Sequence, residues 1–458
     1  MASSLEEQLY KYRFASEADR GTIRLAACGG AAEVAEELTS GAFFEGRLSH
    51  PREISTMLLT LSTIVRTHFF DARPPQMDPI VTASRSMVRW EGFSGCCGAY
   101  ARLDLDDAAF ETEQRRFGTT NVDFNPEMLS HLGSFGRTDE VNLSITTDDV
   151  SLERNQSKVT EKRVPLPRRW IKGLGEVQVY QSRLQLKHRF TPAALIPLIQ
   201  NAARMKGGSQ YLTVNAGRPR LTTRAAAGTI PVGGASRLSV LKTLLPIVRE
   251  VSLYADDVAG VHAWVGETDW ARFWLVLSPA LQRGFSGEGQ VLDSLAHDNW
   301  QERVEPLLEQ FSGSELSPTG PAETIDPAEL AVRLGCTTSA AREGLAALAT
   351  NGLAGFDAGN GFYFQRQLPF DQELVTRDQP RLRAAQKLIE QAAVRLLPGE
   401  SETDIDAEVK SNKLTYFVRI RAEEEKCTCP WFSRYQGHRG PCKHILAVRM
   451  TLEAKHHD

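Results

Sequence analysis

The stretch Cys427-Thr428-Cys429-Pro430-Trp431-Phe432 is followed by Cys442-Lys443-His444, with twelve residues between Cys429 and Cys442. Three thiolates and one imidazole at this spacing can surround a single tetrahedral ion, which is the usual ligand set of a structural zinc site. Four protein ligands fill the coordination sphere and leave no position for a substrate. The spacing therefore predicts a bound Zn²⁺ that stabilises structure and does not catalyse.

The residues around this motif predict two strands and a helix. Apolar residues alternate from Ile405 to Val409, a turn follows at Ser411-Asn412-Lys413, and alternation resumes from Leu414 to Ile420. After His444, an apolar stripe at helical spacing predicts a helix. We call residues 404–455 the zinc module, a predicted ββα unit that one ion holds together. His438, in the Gly-rich spacer, is the one rival ligand.

This ββα setting with C-x-C and C-x-H resembles the SWIM zinc finger, whose two halves look like Cys427 to Phe432 and Arg439 to Ala447. The resemblance implies that the zinc ligands are Cys427, Cys429, Cys442 and His444. It also implies a function in binding DNA or protein, with which the family is generally credited.

More of the chain is similar to bacterial SWIM zinc finger family proteins, namely Pro167-Arg168-Arg169-Trp170 to Val177-Gln178, the segment 322–366, and Gln367-Leu368-Pro369-Phe370. Some members of that group occur in context with a MoxR-type AAA+ ATPase and a von Willebrand factor A domain protein. The resemblance therefore implies a protein adaptor or scaffold as the alternative to nucleic-acid binding.

The zinc motif lies in a basic stretch. Residues 426–450 contain five Lys and Arg and no acid, and zinc with three thiolates carries a charge of −1, so the finger has a net charge of about +4. Arg434, Arg439 and Lys443 are thus candidates for contacting phosphates. Trp431, Phe432 and Tyr435 are able to stack on bases, although packing beneath the hairpin suits the first two better.

A second basic segment lies about 250 residues earlier. Residues 158–224 contain fourteen Lys and Arg against two acids, a net charge of +12 in a chain whose total is −4. Such segregation favours an anionic partner, nucleic acid first, and makes Arg168, Arg169 and Lys172 candidate contacts. The alternative is a solvated face balanced by acids elsewhere. Trp170, between these cations, is either a base-stacking platform or, more in keeping with nearby Ile171 and Leu174, a core anchor.

Residues 322–370 predict a winged-helix-like module. Asp326-Pro327-Ala328-Glu329 opens one helix, Thr337 or Thr338 caps a second, and two short strands flank the Asp357 to Gly361 turn. In that fold Thr338, Ser339 and Arg342 would face a DNA groove. However, residues 322–366 hold three arginines against five acids, a net charge of −2, which favours protein docking over DNA binding.

The whole chain is predicted to be an α+β multidomain protein, because 458 residues exceed one ordinary core. A helical stripe within 53–69, strands within 87–105 and a strand from Val141 indicate mixed α and β structure at the N-terminus. Further predictions are a strand over 178–186, helices over 192–204 and 238–251, and strands over 251–254 and 271–277. The predicted units are a 1–140 N-terminal region, a 141–310 basic domain, a linker at 311–321, the 322–370 module, a 380–397 linking helix and the zinc module.

Composition and motifs narrow the class of protein. Apolar residues make up 41% of the chain and charged residues 24%, no run of 18 apolar residues occurs, and the N-terminus lacks a signal-peptide pattern, so we expect a cytoplasmic protein. Seven cysteines fit a reducing compartment, and the vicinal Cys96-Cys97 is expected to be buried. The sequence contains no phosphate-binding glycine loop, G-x-S-x-G or H-E-x-x-H, so we expect no enzymatic activity.

Overall fold

The computed structural model describes residues 17–19, 22–24, 41–67, 79–164, 166–205, 210–280, 284–285, 289, 291–292, 307, 324–350, 352–366, 368, 379–397, 404–421, 424–437 and 439–457. Within these ranges, α-helices are combined with six antiparallel sheets, which confirms the α+β class. The predicted linker at 311–321 lies outside the described residues.

Up to residue 280 the described chain contains about twice as much strand as α-helix. Its strands are β1 (Glu17–Asp19), β2 (Thr22–Arg24), β3 (Ala42–Leu48), β4 (Ile80–Ala83), β5 (Met87–Phe93), β6 (Ala99–Asp106), β7 (Phe110–Arg115), β8 (Gly118–Asn121), β9 (Val141–Thr146), β10 (Asp149–Arg154), β11 (Ser157–Lys162), β12 (Leu166–Pro167), β13 (Gln185–Phe190), β14 (Tyr211–Asn215), β15 (Arg218–Thr222), β16 (Ile230–Pro231), β17 (Glu250–Asp256), β18 (Val261–Glu267) and β19 (Ala271–Leu277). Its α-helices are α1 (Pro51–Arg66), α2 (Pro126–Gly133), α3 (Arg168–Gln181) and α4 (Pro192–Ala202).

The largest sheet has eight strands in the order β13-β17-β18-β19-β6-β5-β4-β8. Its centre is the antiparallel pair of β6 and β19, in register from Ala99 opposite Leu277 to Leu105 opposite Ala271. Both strands are almost entirely buried, and α1 packs against β6. A second sheet of five strands, β11-β10-β9-β3-β7, completes the same hydrophobic core.

These two sheets correct the predicted boundary between residues 140 and 141. In the five-stranded sheet β3 pairs with β9, and in the eight-stranded sheet β6 pairs with β19, so both sheets draw strands from each side of the boundary. Hydrophobicity patterns report which face of a strand is buried but not its partner. The described residues between 41 and 280 therefore share one core, and we call them the body.

The segment around Trp170, for which the sequence favoured a core anchor over a base-stacking platform, forms the buried helix α3. The two-residue strand β12 is extended, as Pro167 favours for the residue before it, but a helix begins directly afterwards. Trp170, Leu174 and Val177 recur at helical spacing and are fully buried, so Trp170 is a core anchor and not a base-stacking platform. A Cβ on Gly92 of β5 would lie 2.5 Å from Val65 of α1 and 3.3 Å from the Trp170 ring, which shows how closely both helices pack on the sheet.

Other predicted elements fall into two groups. The helix within 53–69, the helix within 192–204 and the strands at 141, 251–254 and 271–277 are confirmed by α1, α4, β9, β17 and β19. The predicted strand over 178–186 is wrong for Gln178–Gln181, which continue α3. The predicted helix over 238–251 is also wrong: Ala235–Thr243 form a 3-10 helix and Glu250 begins β17, because Pro246 cannot donate a helical hydrogen bond.

Residues 324–366 form two helices and a three-stranded sheet, and we call them the helix-hairpin module. Its elements are β20 (Thr324–Ile325), α5 (Pro327–Leu334), α6 (Thr338–Ala349), β21 (Ala354–Asp357) and β22 (Phe362–Gln365). Asp326 and Thr337 cap the two helices, and Gly335 ends α5 in the left-handed conformation at φ 63°. The C-terminal half of α6 is buried and packs on α3, where a Cβ on Gly175 would meet the Thr350 backbone at 2.9 Å.

The helix-hairpin module is joined to the body by a buried ion pair. Arg366 donates two hydrogen bonds of 2.7 Å to Glu91 of β5, and both side chains are at most 1% exposed. Tyr100 also donates to Glu91, and Arg366 donates to the carbonyls of Gly352 and Ala354. Burial alone would raise the pKa of Glu91, but the charge of Arg366 lowers it, so the carboxylate is ionised.

A second buried cluster of charges lies beside the first. Here the module supplies the acidic residue and the body supplies the arginines, the reverse of the first pair. Asp357, in the module, lies 2.8 Å from Arg272 and 3.3 Å from Arg102 of the body. Arg102 in turn contacts Asp104 at 2.9 Å. The Phe364 ring lies 3.9 Å below the guanidinium of Arg89, so an aromatic face also contacts the buried cations.

The predicted linking helix over 380–397 is only partly correct. The structure has α7 (Pro380–Glu390) and then β23 (Val394–Leu397), which pairs with the following strand of the zinc module. Ala392 adopts a left-handed backbone conformation at φ 49°, which a helix cannot contain. The apolar residues after it alternate and therefore belong to a strand.

We expect Arg366→Leu to release the helix-hairpin module, because it leaves Glu91 buried without a partner, at a cost of about 3–5 kcal/mol. Hydrogen exchange of residues 352–366 and the urea midpoint measure this loss. Arg395→Leu is the control, since it removes an exposed ion pair with Glu408 that contributes less than about 1 kcal/mol. Equal effects of the two variants would contradict a structural role for the buried pair.

Candidate metal centre

The predicted zinc ligands are carried by a four-stranded sheet and two helices. The strands, in the order β23-β24-β25-β26, include β24 (Ile405–Ser411), β25 (Leu414–Ile420) and β26 (Glu425–Cys427). The helices are α8 (Pro430–Tyr435) and α9 (Lys443–His457). The predicted hairpin and helix are present, but β23 and β26 extend the hairpin on both sides, so the module is larger than a ββα unit.

The local sequence explains how the first two ligands are placed. Asn412 and Lys413 both have positive φ, which closes the β24–β25 hairpin with a tight turn. Strand β26 then pairs with β25 so that Cys427 lies opposite Val418. Cys429 caps α8, with its Sγ accepting a hydrogen bond of 3.4 Å from the Phe432 backbone N–H, and Pro430 occupies the first helical position.

The other two ligands lie where α9 begins. Cys442 directly precedes the helix, and its carbonyl accepts a hydrogen bond from the Leu446 backbone N–H. His444 is in the first turn, and its ring stacks on Tyr416 of β25 with 4.4 Å between the centroids. The histidine is therefore held in position by both the helix and the sheet.

The four side chains converge on one point. Their ligand atoms all lie within 4.8 Å of one another, and all four residues are buried. Cys427 Sγ lies 3.7 Å from His444 Nδ1. Zinc bond lengths of about 2.3 Å to sulfur and about 2.0–2.1 Å to nitrogen place neighbouring ligands of a tetrahedron about 3.5–3.8 Å apart. The residues thus fit a zinc ion, and Cys427, Cys429, Cys442 and His444 are positioned to bind it.

The electrostatics of the thiols also fit a cation. Hydrogen bonds with Cys429 and Cys442, together with burial, raise the pKa of Cys427. The hydrogen bond from Cys427 lowers the pKa of Cys429, because its thiolate is the acceptor. Three crowded, buried thiols cannot all ionise without a compensating positive charge, which a zinc ion supplies as it displaces their protons. The rival ligand His438 lies outside the described residues.

The predicted phosphate contacts divide into two groups. In the first group, Lys443 donates a hydrogen bond to Ser411. Two neighbouring cations form ion pairs, Arg449 with Glu425 and Lys426 with Glu424. Acids just outside the basic stretch therefore neutralise part of its charge. The side chains of Arg168 and Arg169 lie outside the described part of the chain. Lys172, on α3, is half-buried.

The remaining predicted contacts, Arg434 and Arg439, join a cluster that the sequence did not reveal. The Arg439 guanidinium lies 5.6 Å from the Trp431 ring and 5.2 Å from the Tyr435 ring, and that of Arg434 lies 5.4 Å from Tyr435. Arg381 of α7 covers Trp431 at 4.5 Å and donates to the Arg439 and Pro441 carbonyls. We call these three arginines and two rings the arginine-aromatic cluster. Arg381 was missed because it lies about fifty residues earlier in the chain.

Comparison with known families confirms the predicted resemblance. Residues 416–448 match the SWIM zinc finger family. The matched segment contains all four ligands of the SWIM zinc finger and the rings of the arginine-aromatic cluster. No curated protein matches the chain.

Among solved structures, proliferating cellular nuclear antigen from Entamoeba histolytica is similar to 52% of this chain and to 99% of its own chain, at 10% identity and a TM-score of 0.38. This likeness is too weak to support an argument about fold or function. In the described ranges, every helix is too short or too polar to cross a bilayer.

The spacer between the two halves of the SWIM zinc finger contacts Gly289, which is hydrogen-bonded to the body. A Cβ on Gly440 would overlap the carbonyl of Gly289, whose N–H donates to Glu176 of α3 at 3.2 Å. Gly440 also has a φ of 74°, in the left-handed region that favours glycine. The zinc module therefore docks through a backbone contact that only glycine allows.

We expect Cys427→Ser to lose its zinc, falling from one ion per chain to near zero, and to unfold residues 405–455 locally, because metal binding supplies the folding free energy of such modules. Native mass spectrometry and circular dichroism measure both effects. Cys336→Ser is the control, since Cys336 is an exposed cysteine outside the cluster. A metal-free zinc module that stays folded would refute the structural role.

Gly440→Ala is expected to loosen the docked zinc module more than Gly437→Ala does. Both glycines have positive φ, so each substitution introduces backbone strain of about 1–2 kcal/mol. Only at residue 440 does the new methyl group meet another backbone, whereas a Cβ on Gly437 has open space. Hydrogen exchange at residue 289 and its neighbours reports the docking, and equal exchange in both variants would contradict it.

Proposed function

We propose that this chain is a non-enzymatic, zinc-stabilised protein that contacts nucleic acid through its SWIM zinc finger. The observation that carries the proposal is the arginine-aromatic cluster. Arginine guanidinium groups pair with phosphates, and both guanidinium planes and aromatic rings provide surfaces on which unpaired bases stack. A surface that combines cations and rings can therefore bind both the phosphates and the bases of a single-stranded nucleic acid.

Burial and charge support this use of the cluster. Arg434 is exposed and the two rings are half-buried, so the cluster lies at the surface and not within the core. No carboxylate among the described residues forms an ion pair with Arg434 or Arg439, in contrast to Lys426 and Arg449. Unpaired cations keep their charge available for phosphates.

The zinc site supports the non-enzymatic part of the proposal. Its four candidate protein ligands are all buried and would fill the coordination sphere of a zinc ion, whereas catalytic zinc sites have three protein ligands and one open position. The ion then has the task of fixing α8 and α9 against the sheet. Because Trp431 and Tyr435 lie on α8, the zinc site also sets the position of the rings.

A protein adaptor is the second candidate, and one observation favours it for the helix-hairpin module. In the winged-helix interpretation, α6 would enter the major groove, but its C-terminal half is buried on α3 and only its first turns, with Ser339 and Arg342, are exposed. The net charge of −2 also opposes phosphate binding. We propose a docking role for this module; the AAA+ ATPase and von Willebrand factor A partners stay predictions.

The proposal is tested with a fluorescein-labelled 20-nucleotide single strand in a salt series. Wild-type affinity should fall steeply with salt, and Arg434→Gln/Arg439→Gln should reduce the slope of log affinity against log salt by about 1.4, since each lost phosphate contact on a single strand contributes about 0.7. Arg383→Gln, an exposed residue of α7 outside the cluster, is the control. The absence of wild-type binding at 50 mM salt would refute the proposal.

A further inference from the structure

A two-stranded ribbon with one exposed face lies in the middle of an acid-free part of the sequence. Between Glu176 and Glu250 the chain contains eleven Lys and Arg and no Asp or Glu. Strands β14 and β15 form a hairpin there, closed by Ala216 and Gly217, both at positive φ. The third strand of this sheet, β16, pairs only with Tyr211 and Leu212, so the outer part of the hairpin is two-stranded.

The ribbon has one apolar face and one polar face. Leu212 is fully buried and Val214 and Leu221 pack against the core of the body, so the apolar face is covered. The opposite face is formed by the cross-strand pairs Tyr211 with Thr222, Thr213 with Arg220, and Asn215 with Arg218. Arg218, Arg220 and Asn215 are exposed, and the other three residues are half-buried.

Within the described part of the chain, the arginines of this face have no acidic partner, unlike neighbouring cations. Lys187 pairs with Asp257 at 2.7 Å, and Arg189 pairs with Glu250 at 2.7 Å. No such pair forms at Arg218 or Arg220 with any residue that the structure describes. The fold thus neutralises the cations beside the large sheet and leaves those of the ribbon unpaired.

We infer that the polar face of this ribbon binds double-stranded DNA in the major groove. The charge is complementary to phosphate, and the groove, about 12 Å wide, admits a two-stranded β-ribbon whose other face rests on protein. Arginine, asparagine and threonine are the side chains that hydrogen-bond base edges there. Among the described residues, neither Arg218 nor Arg220 contacts an aromatic ring, in contrast to the arginine-aromatic cluster, which suits the ribbon to duplex and not to stacked single bases.

The inference rests on the proposed function in that both assign a nucleic-acid ligand, but the surfaces and probes differ. The test uses the full zinc-loaded chain and a fluorescein-labelled 30-base-pair DNA duplex at 0.1 M salt. Arg218→Gln/Arg220→Gln should bind about tenfold more weakly, because two phosphate or base contacts are lost. Lys158→Gln/Lys162→Gln is the matched control, since it removes two exposed cations of strand β11, on a different sheet.

Five outcomes separate the alternatives. A tenfold loss confined to the ribbon variant supports the inference, whereas equal losses in both variants mean that only net charge matters and overturn it. Equal wild-type affinity for an RNA duplex also overturns it, since side chains cannot read the deep, narrow A-form major groove. Wild-type binding to the single strand but not to the DNA duplex overturns the inference alone, and binding to neither overturns the proposed function as well. Circular dichroism and zinc content verify folding.

Discussion

Buried charge determines how the parts of this molecule meet. Glu91 and Arg366 lie on different units, and each would be unstable in the interior without the other, because an ion removed from water needs a paired counter-ion. The neighbouring cluster around Asp357 adds the same constraint with the signs exchanged. Such groups contribute little to net stability but restrict the two units to one relative arrangement, since any other docking leaves charges unpaired.

In the C-terminal module, the zinc site likewise fixes the positions of the elements that carry its ligands. The sheet and α9 bury apolar residues around the ligands, and the half-buried Trp431 and Phe432 of α8 pack against them. The ligands themselves come from three separate elements. A single ion ties all three together, as hydrophobic packing alone would do only with a larger core. The arginine-aromatic cluster is built on this frame, so its arrangement depends on metal even though none of its residues is a ligand.

The zinc site could be predicted from the sequence because its chemistry is local. Cys427, Cys429, Cys442 and His444 lie within eighteen residues, and the alternation before them reports a hairpin. The sheets of the body could not be predicted, because pairing of β6 with β19 joins residues about 170 positions apart and leaves no trace in hydrophobic periodicity. The error at α3 has another cause: its polar Gln178 and Gln181 are buried, so they mimic the polar positions of a strand.

The pairing of strands across residue 140 has a consequence for how the polypeptide must be made. A fragment that starts at residue 141 lacks β3 and β6, so β9 and β19 would each present an unsatisfied row of backbone donors and acceptors. Open edges of long, apolar strands recruit other chains and aggregate. The five-stranded sheet is therefore complete only after β11 has been synthesised, and the eight-stranded sheet only after β19. The nascent N-terminal half is expected to depend on protection until β19 emerges.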